Sequence, residues 1–311
     1  MNRTLFLYLI CLFIGESLFS QRVVDITYSQ NAKGAYVFSA INLGFCNYIL
    51  DIHFTSFDNV TSDQPLPYHG EIRPGTNRLF SLSPVHPNDP VKFNYATGFH
   101  KGCMHPTPDT GLVYLLPSGP NKEVQAYEMN SPVSAGEPDV KQNGWYVIRL
   151  RMKPGDTIYA ARKGVVNVVE DSDGSNDAGG GGPENYIEVV QADCSFARYG
   201  ILRKNSALVK PGEPVKAGQP IGLVGGDTYG RGSDIRFSVF YTSEKDTAVN
   251  GAASWEIFRN YIPLIFWTKN NGKGKLKHGA TYTAEFPVTI LNQELPKPKP
   301  VGAKKRPGAK K

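Results

Sequence analysis

A period of two in side-chain polarity is the feature that most constrains this chain. In "GSDIRFSVFY", residues 232–241, Asp234, Arg236 and Ser238 alternate with Ile235, Phe237 and Val239. That spacing puts charge on one face of a β-strand and apolar side chains on the other. "AYVFSAIN" and "YILDIHF" alternate too, the latter with Tyr48, Leu50, Ile52 and Phe54 on one face and Asp51 and His53 on the other. "RPGTN", "HPNDP" and "LPSGPNK" are turn clusters at hairpin intervals. With 32 Gly and 23 Pro, and valine, isoleucine, tyrosine and phenylalanine in short runs, the expectation is an all-β protein. A coiled coil or a long disordered chain is excluded.

The length of 311 residues predicts two compact units. Residues 1–20, "MNRTLFLYLICLFIGESLFS", read as a secretory signal cut before Gln21. The apolar stretch from Leu5 to Ile14 falls short of the roughly 20 residues a spanning helix needs. Cys11 follows Ile10 rather than a small residue, which argues against lipoprotein processing. Residues 21–140 read as a β-sandwich domain, and the Ser/Pro/Gly-rich "NSPVSAGEPDVKQNG" as its edge. A second β-unit with closing strands is expected over 141–294, and a basic Lys/Pro tail over 295–311.

Net charge is +6, but the tail alone carries Lys297, Lys299, Lys304, Lys305, Arg306, Lys310 and Lys311 and no acid. Without those seven charges the rest sums to about −1, so the basicity is no sign of a nucleic-acid groove. A Pro/Lys run cannot build a core. It reads as a disordered, solubilising end or as a tether to a polyanion, whether an envelope polymer or an anionic membrane surface.

Past the signal, Cys46, Cys103 and Cys194 remain, and an exported protein can oxidise a pair. Cys46 and Cys103 lie in the same half and are the expected disulfide, with three buried free thiols as the alternative. His100, Cys103 and His105 crowd together in "HKGCMH", but no second ligand pair stands at zinc-finger spacing, so no metal is assigned there. Asp171, Asp173 and Asp177 in "DSDGSNDAGGGGPE" lack the bidentate glutamate of a calcium loop and read as solvated. "G-x-S-x-G", P-loop and "H-E-x-x-H" elements are absent.

Within the second unit, "PGDTIYAARKGVVNVVED" echoes "VKPGEPVKAGQPIGLVGG". A biotinyl or lipoyl carrier shares this pattern, yet "GGDTYGRG" offers no lysine to acylate. From Trp145 to about Tyr241 the chain resembles the LytM/lysostaphin-type zinc endopeptidases, which cut peptide cross-links in bacterial cell walls. Five segments stand in that family's order: "GDTIYAARKGVVNVV", "ENYIEVV", "RYGIL", "LVKPGEPVKAGQPIGLVGG" and "GSDIRFSVF". The resemblance implies an antiparallel hairpin domain after the sandwich.

In that family a histidine and an aspartate of "H-x-x-x-D" and the second histidine of "H-x-H" hold zinc. The other "H-x-H" histidine and that of "Y-A-H-L" handle the attacking water. The resemblance places these five positions on Trp145, Arg149, Arg236, Asp234 and Ile201, and none keeps the family's residue. A catalytic zinc needs about three imidazole or carboxylate ligands and an open position. Arginine is a permanent cation and repels a metal. The expectation is therefore a non-enzyme with no metal or other cofactor, and a vestigial groove lined by Trp145, Arg149, Tyr199, Ile201, Asp234 and Arg236. Such a protein of the periplasm or cell exterior would bind peptidoglycan or an envelope protein such as a wall hydrolase. A scaffold in a surface assembly is the alternative, and an active metallo-endopeptidase the least favoured reading.

Overall fold

The computed structural model describes residues 23–129, 140–172, 184–226, 233–249 and 252–293. The expected signal sequence and basic tail lie outside them, as do the "GGDTYGRG" tip from 227 to 232 and most of the glycine-rich loop. The all-β expectation holds: apart from one helical turn, Val288–Leu291, the regular structure of the described residues is strand.

The front unit is two sheets packed face to face. One runs Val24–Gln30, Tyr36–Asn42, Gly75–Pro84, Val60–Ser62; the other runs Tyr68–Ile72, Tyr48–Asp58, Lys92–Lys101. Alternation decides the inner faces: Leu50, Ile52, Phe38 and Phe80 are fully buried, the two phenylalanine rings stacked at 4.7 Å. Asp51 sits on the opposite face of its strand, yet it too is largely shielded, with 16% side-chain exposure. That face is covered by the second unit.

The second unit is organised by one long sheet. Its order is Pro214–Val215, Gly164–Glu170, Tyr186–Val190, Phe196–Gly200, Asp234–Val249, Val147–Arg151, Glu123–Met129, Thr281–Thr283. The 234–249 strand outruns its sheet neighbours, turns back through Ala252–Tyr261, and carries this hairpin onto the front unit.

Two expectations are corrected here. The boundary near residue 140 falls earlier, because Glu123–Met129 pairs with Val147–Arg151 and Thr281–Thr283, and Val113–Leu115 pairs with Ile265–Thr268. Period two marks a strand without saying which sheet it joins. The disulfide is Cys103–Cys194, not Cys46–Cys103. The Gly102 N–H does donate to the Asn47 carbonyl, so the Cys46 and Cys103 segments meet, but Cys46 turns into an apolar cluster with Phe196 and Phe240. Burial pushes its thiol up to about 12, which leaves it inert.

Candidate functional site

Register aligns the groove positions across four strands. Gly200, Arg236, Arg149 and Tyr127 form one cross-strand row; Asp234, Arg151 and Gln125 form the next. Ile235, Phe237 and Val239 point the other way and are fully buried, as alternation requires.

Arg149 and Arg236 take separate carboxylates, one from the neighbouring strand and one from the segment before Tyr186–Val190. Arg149 Nε lies 3.4 Å from Asp234 Oδ2, and Arg236 donates from Nη1 to Glu184 Oε2 at 3.1 Å. Gly200 makes room for Glu184: a Cβ there would stand 1.6 Å from Glu184 Oε1. Burial raises the Glu184 carboxyl, with Arg236 and Arg198 opposing. It also raises that of Asp234, against Arg149, Arg236 and Arg151. Aromatic rings back the cations, Tyr127 beneath Arg149 and Arg151 at 5.4 and 5.5 Å, and Tyr186 beneath Arg198 at 3.6 Å.

Only part of the expected groove set is brought together. Arg149, Asp234 and Arg236 come together. Tyr199 and Ile201 are core, 0% and 1% exposed, and the Tyr199 hydroxyl accepts the Ala161 N–H at 2.8 Å. Ile201 adopts φ 66, rare for a β-branched residue, and its carbonyl accepts the Gly225 N–H at 2.8 Å. Trp145 is anchored to one side, donating from its indole to the Met129 carbonyl and tilted against Tyr261 at 4.9 Å. Glu184, Arg151 and Tyr127 escaped the sequence reading. Glu184 ends the glycine-rich loop, and Tyr127 belongs to a strand assigned to the front sandwich; only the pairing partners single them out.

A zinc ion does not fit this donor set. The guanidinium groups of Arg149 and Arg236 offer no lone pair. The Trp145 indole N–H is committed as a donor and Ile201 is apolar. The carboxylates of Asp234 and Glu184 are each held by an arginine.

Residues 143–250 match the model for Peptidase family M23. Among solved structures, similarity extends to the catalytic domain of the prophage-encoded M23 protein EnpA from Enterococcus faecalis. It is 22% identical, covers 48% of this chain and 92% of that one, and has a TM-score of 0.26. The catalytic domain of lysostaphin from Staphylococcus simulans is 21% identical over 46% of this chain and 87% of that one, TM-score 0.26. The SpoIIQ–SpoIIIAH pore-forming complex is 22% identical over 46% and 88%, TM-score 0.29. No curated protein matches the sequence.

Proposed function

For a chain carrying an M23-type segment, we propose a non-catalytic role: an exported cell-wall-peptidase-like protein of the bacterial envelope that binds peptidoglycan or a protein partner. The observation that carries this reading is the facing pair Arg149 and Arg236, each with its own carboxylate, at the positions where the resemblance puts zinc ligands. Amide hydrolysis needs an electrophile and a general base. Guanidinium groups supply neither a Lewis acid nor a proton acceptor.

Binding is a different demand, and arginines over tyrosine rings meet it. A carboxylated peptide stem or an acidic partner surface would exchange with Asp234 or Glu184 for the guanidinium forks. A regulator of a wall hydrolase is one such role. The signal sequence at residues 1–20 supports export, and the tail at 295–311 supplies a second, non-specific attraction to anionic polymers.

The test is co-sedimentation of the mature chain with purified peptidoglycan, with and without residues 295–311, while the supernatant is assayed for released fragments. Binding that survives removal of the tail, with no release, is the expected result. Released fragments would overturn it. Absence of binding by the tail-free chain would favour the scaffold reading, which the packed Tyr199 and Ile201 support.

A further inference from the structure

A second cluster of ionisable side chains lies at the junction of the two units, away from the arginine row. The outward face of the Tyr68–Ile72, Tyr48–Asp58, Lys92–Lys101 sheet carries Asp51 directly opposite His69, and His100 opposite Ile49. Onto that face the long hairpin of the second unit lowers Glu244 and Trp255. His69 is held from both sides: Nδ1 is 2.6 Å from Asp51 Oδ1, and Nε2 is 3.1 Å from Glu244 Oε2. Glu244 Oε1 is buried without a hydrogen bond, and His100 Nε2 stands 3.4 Å from it. Trp255 stacks flat on His69, centroids 4.0 Å apart and planes 5° apart, fixing the direction in which Nε2 points.

These are the donor types of a divalent transition-metal site, gathered from four strands. Ligand atoms of Asp51, His69 and Glu244 all lie within 4.8 Å of one another. Zinc bonds of about 2.0–2.2 Å separate neighbouring donors by roughly 3.3 Å, the scale of the His69–Glu244 approach. The contact on Nδ1 has a meaning as well: a carboxylate on the far nitrogen of a ligating histidine fixes its tautomer and raises its basicity. A cleft of about 500 Å³ between the units reaches the edge of the cluster at Asp51 and His100 and is lined there also by Tyr48, Phe99, Lys101 and Asn167.

We propose that this junction binds one divalent transition-metal ion, zinc by its donor types, on His69 Nε2 and the Glu244 carboxylate, with His100 as a further ligand and Asp51 orienting His69 through Nδ1. The ion would clasp the front sandwich to the peptidase-like unit. This goes beyond the wall-binding role and does not depend on it, because the arginine row takes no part.

The test uses the whole chain, stripped with a chelator and titrated with zinc chloride by calorimetry, and with cobalt(II) by visible absorption. One equivalent of metal, a cobalt spectrum of low-symmetry coordination and a raised melting temperature are expected. His69→Gln and Glu244→Gln should each weaken binding at least tenfold, and Asp51→Asn by about 10–100-fold as an orienting carboxylate. Arg236→Met should bind as wild type does. Near-UV circular dichroism checks that the variants are folded, and the wild-type titration decides the matter without them. No uptake by the stripped wild-type chain, or uptake unchanged in folded His69→Gln and Glu244→Gln, would overturn the proposal.

Discussion

The arginine row and the junction cluster are built from similar carboxylates and differ in the nitrogen-bearing side chains set against them. In the row, Asp234 and Glu184 face Arg149 and Arg236; at the junction, Asp51 and Glu244 face His69 and His100. A guanidinium does not release its proton near neutral pH and has no lone pair, so Arg149 and Arg236 offer a metal no donor. An imidazole carries a lone pair whenever it is neutral. Resemblance to a metallopeptidase thus points at one place, while the side chains suited to a metal stand in another.

The junction should also carry more of the stability, and four variants measure this in descending order. Removing the disulfide as Cys103→Ser with Cys194→Ser frees a loop whose ends are 91 residues apart, at a cost of about 4–5 kcal/mol on a chain-entropy model. Urea unfolding of the double variant beside the wild type reads it. A loss under about 1 kcal/mol would mean that the units are held together without the bond.

Next is Lys101→Met, which strands the fully buried Glu188 whose two oxygens Lys101 contacts at 2.8 Å. The expected loss at neutral pH is about 3 kcal/mol or somewhat more. Its pH dependence follows from Glu188. Burial pushes that carboxyl up, but Lys101 and Asn167 outweigh it and hold it below its ordinary 4.5. The stabilisation is therefore present above pH 4.5 and is lost as pH falls through the lower folded value. Unfolding curves of Glu188→Gln should lack that acid-range decline.

In the row, Arg236→Met should cost about 1–3 kcal/mol by removing the cation hydrogen-bonded to Glu184, with Arg198 left as its remaining cation. Here the sign reverses. Burial already raises Glu184, and losing Arg236 raises it further, so the penalty is greatest at neutral pH and shrinks as acid protonates the carboxyl. Adding Glu184→Gln should recover part of the loss, and no recovery would uncouple the pair. The smallest effect is expected from Arg149→Ala. Its 3.4 Å pair with Asp234 is about a quarter exposed on the arginine side, so under about 1 kcal/mol is expected from the same melts.

Much of this was legible in the chain as written. Alternation in "GSDIRFSVFY" fixed the faces of its strand, and alternation in "YILDIHF" put Asp51 apart from Leu50 and Ile52. The five ordered segments located the peptidase-like unit, and the identities of Trp145, Arg149, Ile201, Asp234 and Arg236 already spoke against zinc there. These are local properties: the period of two and the chemistry of a side chain need no distant partner to be read.

What stayed hidden depends on contacts between residues far apart in the chain. "EVQAYEM" reads as a strand wherever it pairs, and only the completed sheet puts Tyr127 beneath Arg149. Cys103 pairs with Cys194 of the other unit, while Cys46, nearer in the chain, is buried with Phe196 and Phe240. Tyr199 and Ile201 stood at groove positions by resemblance and became core by packing. Glu244 joined His69 and His100 only because a hairpin outgrew its own sheet and came to rest on another. The sequence determined the alternating strands, their faces and which side chains stand where the resemblance puts zinc ligands; the tertiary structure decided which charges meet, because pairing between sheets leaves no periodic trace in either partner.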